Sequence, residues 1–331
     1  DQEESFKKQD LNNFRVFQKH LSDSFCRLKH VGQEVPTKWI AVREALTDEK
    51  ANWIHTERFH DLCIEKKITE ESERDSLLNI LRRLGHLLHY PDTDLEGMVI
   101  LNREWATDAL YRVLDDPLVD EHQGWFVKEE AKQIWHEAKY KNRTNELLAL
   151  MQEFKMCYQN PATSRYIVPS KLPDASNSFP KWDTQNNVKL RLQYDWMPKA
   201  IAVQLMVALH EYIAVLPDGQ QWIWRKGAVL DGQQLGLEDV LVRLRDEYKQ
   251  KRITLDGRGE HTESLIRIKL KKWREVNTPF KDKVEVTPVI VCPCPDCTTS
   301  KRPSEFDYDK VLKAKKMSRQ IQCNNSFEMM L

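Results

Sequence analysis

A chain of 331 residues exceeds one ordinary hydrophobic core, and at roughly 150 residues per domain it should hold about two folding units. Its composition, 40% hydrophobic and 31% charged, excludes a disordered chain, and no stretch approaches the ~20 apolar residues that span a bilayer. The 51 Lys and Arg balance 51 Asp and Glu, which removes any global field for nucleic acid or an anionic membrane.

The first residues, DQEESFKKQD, carry no initiator Met and no signal or transit pattern, so a cytoplasmic piece of a larger protein is expected. Catalytic signatures are missing. The string nearest to a phosphate loop, Gly32 to Lys38, lacks the second glycine and the following hydroxyl. His210-Glu211 has no second His, and Gly257-Arg258-Gly259 has no third glycine at dinucleotide spacing. His86 and His89 lie where a strand would enter a turn, which sends their rings apart. The chain therefore reads as an interaction domain and not as an enzyme, with no catalytic residue.

In chain order, Ile54 opens a short extended piece and Thr56 is placed to cap a helix over 57–66. Thr69 starts a second helix, with Leu77, Leu78, Ile80, Leu81 and Leu84 at helical spacing. Gly85 ends it, 87–90 reads as a strand, Pro91 to Asp94 as a turn, and 98–101 as the return strand. Asn102 caps a further amphipathic helix over 103–114, with Trp105, Ala109, Leu110 and Val113 inward. The same order returns about seventy residues later: strand 125–127, helices 129–138 and 144–154, and strands 155–159 and 165–168 around Asn160-Pro161. Leu77, Leu78, Ile80, Leu81, Leu84 and Pro91 align with Leu147, Leu148, Leu150, Met151, Phe154 and Pro161 without a gap. Two helices and a hairpin outline a winged helix, used for DNA and for protein contacts. The second helix of the first copy offers Arg74, Asn79, Arg82 and Arg83, but that of the second offers Asn145, Glu146, Gln152 and Glu153, which repel phosphate. Protein contact is the expectation, no nucleic-acid partner is expected, and a winged-helix nucleic-acid binder is the runner-up.

Residues 169–187 are rich in Pro, Ser, Asn and Asp and read as the connection between two halves, 1–175 and 185–331. Val188, Leu190 and Leu192 then alternate as a strand, and Pro198 sets the first turn of an apolar helix over 199–213. That helix is hydrophobic nearly all round, so its own core, or that core shared with a partner subunit, should cover it. Pro217-Asp218-Gly219 is a hairpin turn between 212–216 and 221–225, with Trp222 and Trp224 on one face. Strands at 228–230, 237–248 and 253–256 extend an antiparallel sheet, with a helix as the alternative for the longest. A helix over 262–275 points Leu265, Ile266, Leu270 and Trp273 inward and Lys269, Lys271 and Lys272 outward. The fold class is α+β: a mainly helical N-terminal half with two winged-helix-like repeats, then a half with an antiparallel sheet and packed helices.

Of seven cysteines, Cys26, Cys63 and Cys157 stand alone in apolar patterns and read as small buried core residues. Cys292, Cys294 and Cys297 lie close together, with Cys323 further on. Such a set suits tetrahedral Zn²⁺, although a zinc ribbon has a second Cys-x-x-Cys pair that is missing here. Reduced thiols are the alternative. A disulfide is disfavoured in a cytoplasmic chain, and no His is near enough in sequence to serve a catalytic thiol.

Several ordered strings resemble the COR ("C-terminal of Roc") domain of Roco proteins: Pro36-Thr37-Lys38-Trp39, Leu84-Gly85-His86-Leu87-Leu88-His89-Tyr90-Pro91-Asp92, Val99 to Trp105, and Ala109-Leu110-Tyr111. So do Leu150 to Phe154, Tyr166 to Pro173 and Trp224 to Leu230. The Cys-Pro-Cys-Pro-Asp-Cys tail resembles bacterial members, that of a green sulfur bacterium above all. The resemblance implies a Ras-like GTPase domain, Roc, directly ahead of this piece, often after leucine-rich repeats, with GTP or GDP and Mg²⁺ bound there and not here. It further implies that 1–175 packs on Roc, that 188–331 carries a homodimer contact, and that the domain relays between dimer state and nucleotide cycle. Tyr194, Trp196, Met197 and Pro198 match the aromatic-rich segment that would face Roc.

Overall fold

Leu77, Leu78 and Leu81, one helical turn apart, close a small core with Val42, Phe59, Leu62, Cys63, Ile68, Leu87 and Val99. The computed structural model describes residues 2–27, 34–175, 180–182, 187–237, 239–259, 261–280 and 283–330, with backbone alone at 2–11 and 330. Parts of the expected linker, 176–179 and 183–186, lie outside the described residues, as does Gly32. The chain forms two units, Asp1–Arg103 and Glu104–Leu331, and its class is α+β.

The first unit runs α1 (Gln2–Cys26), α2 (Thr37–Asp48), β1 (Trp53–His55), α3 (Thr56–Glu65), α4 (Glu71–Arg83) and β2 (Met98–Ile100). Thr56 does not cap α3. His55 stands at that position, and the Thr56 hydroxyl instead donates to the Glu96 carbonyl at 2.7 Å. The second helix likewise starts after Glu70 and not at Thr69. Strand β2 pairs antiparallel with β1, Ile54 opposite Val99, and on its other side Leu88 and Ile100 exchange two backbone hydrogen bonds at 2.9 Å. The strand expected over 87–90 is thus a single bridge, because Pro91 has no N–H and the Tyr90 carbonyl accepts from the Thr93 hydroxyl at 2.8 Å.

From the boundary onward come α5 (Arg103–Leu114), α6 (Pro117–Glu121), β3 (Trp125–Phe126), α7 (Lys128–Ile134), α8 (Thr144–Glu153), β4 (Tyr158–Gln159) and β5 (Tyr166–Ile167). These strands form an antiparallel sheet in the order β3-β5-β4. The placement is that of the first unit: the last strand of each hairpin lies between its first strand and the strand ahead of the helices. The two helix ends also match in detail. His86 N–H donates to the Leu81 carbonyl and Met156 N–H to the Met151 carbonyl, both at 2.9 Å, after residues with positive φ, Gly85 (73°) and Lys155 (56°). Leu147, Leu148, Leu150 and Met151 are buried, whereas Ile80, Leu84 and Phe154 are exposed.

The rest of the second unit comprises β6 (Val188–Tyr194), α9 (Ile201–Ala208), β7 (Ile223–Trp224), β8 (Gly227–Asp231), β9 (Leu241–Glu247), β10 (Arg252–Arg258), α10 (Thr262–Asn277), β11 (Val286–Val291), α11 (Pro295–Thr299), β12 (Glu305–Asp307), α12 (Tyr308–Lys316), β13 (Ile321–Gln322) and β14 (Met329–Met330). Seven strands make one sheet, β12-β11-β6-β10-β9-β8-β7, with every pairing antiparallel. Register sets Leu190, Leu255, Leu244 and Ala228 side by side, so period-two alternation turns them to one face. The segment that could have been helix is strand β9, with Val242 and Leu244 buried. Pro288 sits in β11 opposite Leu192, one position past the end of β12, where a strand tolerates a missing donor.

Helix α9 packs on that face. Ile201, Ala202, Leu205 and Met206 are fully buried with Leu190, Leu192, Val242, Leu244 and Leu255 of the sheet and Leu265 and Leu270 of α10. Tyr158, Ile167 and Leu172 join the same core. The Tyr158 hydroxyl donates to Gln221 Oε1 at 2.8 Å and its ring stacks on His210 at 4.9 Å. The second helix-helix-hairpin copy is therefore fused to the sheet, and the contact boundary does not coincide with the linker at 173–187. Among the described residues, no helix is long and apolar enough to cross a membrane.

Two glycines separate backbone strain from crowding. Gly219, in the turn after Pro217, has φ +83° with nothing within 4 Å of where a Cβ would stand. Gly124 has φ +92°, and a Cβ there would lie 2.7 Å from the Leu172 backbone nitrogen. Urea unfolding of Gly219→Ala should show a loss of about 1 kcal/mol, the left-handed backbone alone. Gly124→Ala should lose about 3 kcal/mol, because the 168–172 turn must move as well. Equal losses would refute the crowding account.

Candidate metal centre and interface

Strand β11 delivers Cys292 to its end, where Cys292 N–H donates to the Ser304 carbonyl at 2.9 Å. Cys294 occupies the N-cap of α11, with Pro295 at the first helical position, and its sulfur accepts from Cys297 N–H at 3.4 Å. Cys323 follows β13. The four side chains are at most 2% exposed, and their sulfurs all lie within 4.8 Å of one another. Cys323 Sγ is 3.8 Å from Cys294 Sγ and 3.6 Å from Cys297 Sγ, and none of the four is in a disulfide.

Two residues that sequence reasoning missed complete the cluster. Ser304 N–H donates to Cys297 Sγ at 3.2 Å, with its hydroxyl 3.4 Å from Cys323 Sγ, and Asn325 N–H donates to Cys323 Sγ at 3.4 Å. Neither has a spacing signal, because the fold brings in their backbone donors and the Ser304 hydroxyl. The Ser304 hydroxyl, with bonds from Ser326 and Asn325, holds Cys323 below the ordinary thiol range, whereas burial pushes Cys292 and Cys297 up. The other cysteines divide. Cys63 and Cys157 are buried, with burial pushing Cys63 up to about 11. Cys26 is exposed, contrary to expectation: α1 turns apolar side chains outward around it, Phe25 among them at 55% exposure.

The aromatic-rich segment is split by its strand-to-turn geometry. Tyr194 ends β6 inside the core, where its hydroxyl accepts from Trp273 Nε1 at 2.7 Å. Met197 and Pro198 are also buried within the second unit. Trp196 lies between them on the turn, 59% exposed, with its N–H donating to Asp195 Oδ1 at 2.6 Å. Of the basic group on α4, Arg82 bonds Asn79 at 3.0 Å and Arg74 bonds the Thr69 carbonyl at 2.5 Å, while on α8 Glu146 is paired with Arg143 at 2.8 Å.

The family comparison decides what this fold is. The COR-A model ("C-terminal of Roc, COR-A domain") matches residues 36–172, and the COR-B model matches 185–330. The chain belongs to the COR family. A Roc-COR-CHAT protease of Runella zeae is 26% identical over 233 residues, 68% of this chain and 24% of that protein. A probable serine/threonine-protein kinase, qkgA, of Dictyostelium discoideum is 24% identical over 126 residues, 38% of this chain and 8% of that protein. The match thus spans about a quarter or less of either relative. Among solved structures, Methanosarcina barkeri Roco2 RocCORdC bound to GDP is 22% identical, with a TM-score of 0.44, over 48% of this chain and 50% of that one.

COR-B also holds one unexpected buried charge. Lys269 was expected outward with Lys271 and Lys272, yet it is 1% exposed, four residues from both Leu265 and Trp273 on the inward stripe of α10. Its Nζ lies over the Tyr212 ring, and among the described residues no acceptor is within hydrogen-bond reach. Glu211 and Asp231 act on it only through space, so desolvation dominates and lowers its pKa from 10.5 to about 7. Between about pH 7 and 10.5 the unfolded chain holds a proton that the folded chain does not, so stability rises with pH across that window. Lys269→Met should flatten that rise and unfold at higher urea than the parent at pH 7. A parallel pH profile in the two proteins would refute it.

Proposed function

We propose that this chain is the dimerisation and regulatory domain of a bacterial Roco protein, coupling homodimerisation to the GTP hydrolysis cycle of a Ras-like Roc domain ahead of it. The tandem COR-A and COR-B match carries the reading. The Roc-COR-CHAT protease of Runella, by its name, sets Roc before COR in the same way. GTP or GDP with Mg²⁺ then belongs to Roc, leucine-rich repeats to the region before it, and the location is cytoplasmic. The chain itself contributes coupling. It can alter hydrolysis only by holding one state of its neighbour, or of its twin, more tightly than the other.

Residues 1–175 serve as the half that packs on Roc. On α1, Phe14, Phe17, Leu21 and Phe25 fall at helical spacing and are 43–58% exposed, which suits a domain contact. Trp196 is a second contact of that kind. Residues 185–331 form the dimer half, and the whole homodimer contact lies within 188–331. Since α9 is covered by its own chain, the contact uses other surface, such as exposed Val215 and Tyr248. The two helix-helix-hairpin copies are winged-helix units turned to protein contact, and Glu146 and Glu153 on α8 set them against phosphate.

Light scattering on the Roc-containing protein, without nucleotide, with GDP and with a non-hydrolysable GTP analogue, tests this. A dimer mass that changes with nucleotide is expected, with Trp196→Ala altering GTP turnover several-fold at an unchanged melting temperature. A monomer in every nucleotide state, with turnover unaffected by deleting this domain, would sink the reading.

A further inference from the structure

We propose that Cys292, Cys294, Cys297 and Cys323 hold one structural Zn²⁺ as four thiolates, clamping the C-terminal tail to the end of β11. The inference stands apart from the GTPase reading and can fail without it.

Size, chemistry and surroundings agree. A tetrahedron with Zn–S bonds of about 2.3 Å has sulfur-sulfur edges of about 3.8 Å. Cys323 lies at 3.8 and 3.6 Å from two of its neighbours, and the whole set lies within 4.8 Å. A disulfide would need about 2.05 Å. Soft sulfur on four sides, with burial and no carboxylate or imidazole in the set, suits a closed zinc site and leaves no position for substrate. Binding moves no electrons: four thiols release four protons, four Zn–S bonds form, and the centre carries two negative charges. Donors aimed at the sulfurs suit that charge. Cys297, Ser304 and Asn325 N–H groups each donate to sulfur at 3.2–3.4 Å, which is how outer-shell groups orient and hold thiolate ligands.

The tail gives the site a task. Beyond α12, strands β13 and β14 pair over two residues only, and Met317, Phe327 and Met329 are 62%, 70% and 53% exposed. So little apolar burial does not fix the segment after α12, whereas a metal bond between Cys323 and the 292–297 loop does.

Elemental analysis of the chain after gel filtration in metal-free buffer should find one zinc per chain. A mercurial that titrates the thiols should release it, and Co²⁺ exchange should give the sulfur-to-cobalt charge-transfer and tetrahedral visible bands of a four-thiolate site. Cys323→Ser should lose at least tenfold in zinc affinity, while Cys26→Ser, at an exposed position, should keep the full equivalent. Should Cys323→Ser fail to fold, the parent's stoichiometry and cobalt spectrum decide by themselves. A cooperatively melting parent without zinc, a Cys–Cys crosslink in its mass spectrum, or zinc retained at full affinity by Cys323→Ser would overturn the proposal.

Discussion

An eight-residue helix with almost no polar face must be covered on every side, and that requirement organises the larger unit. Each apolar side chain removed from water contributes roughly 1.5–3 kcal/mol, so leaving one flank of α9 exposed would forfeit several such terms at once. The sheet covers one flank and α10 another. Tyr158, Ile167 and Leu172, from the second helix-helix-hairpin copy, close much of what remains. One short helix therefore ties a COR-A element to the COR-B sheet, and the compact units divide at Arg103 and Glu104 although the family models meet at the linker.

The same helix changes where association should be sought. An all-round apolar helix suggests a surface awaiting a second subunit, but here its neighbours lie in the same chain. Exposed apolar residues occur instead on α1 and on turns such as that of Trp196. These are places where a partner with two states can bias a domain without repacking its core.

Burial also shows where identity and position conflict. Helical spacing puts position 269 on the inward stripe of α10 whatever residue stands there. The charge of Lys269 pointed the other way, and geometry won because the methylene stem packs while Tyr212 receives the ammonium. Tyr194, Met197 and Pro198 show the converse. A string that looks like a contact surface is mostly interior, since strand alternation and a turn leave one residue in four outside.

Residue order alone was enough to read the α+β class, most of the sheet strands and the four cysteines worth testing. Each rests on a period or a local backbone preference that neighbours in the chain already express: alternating Leu190 and Leu192, the positive φ where the first copy's helix ends at Gly85, the capping geometry of Cys294-Pro295. The 87–90 strand failed because one ladder bond was drawn off by a threonine hydroxyl, and β11 went unread because Pro288 is compatible with a strand only where its neighbour strand stops. Long-range packing is what brings Cys323 to the 292–297 loop, points the Ser304 and Asn325 N–H groups at sulfur, puts Lys269 inside and Cys26 outside, and covers α9 with its own chain. Those facts depend on which distant segments come to lie together, and no local period encodes that.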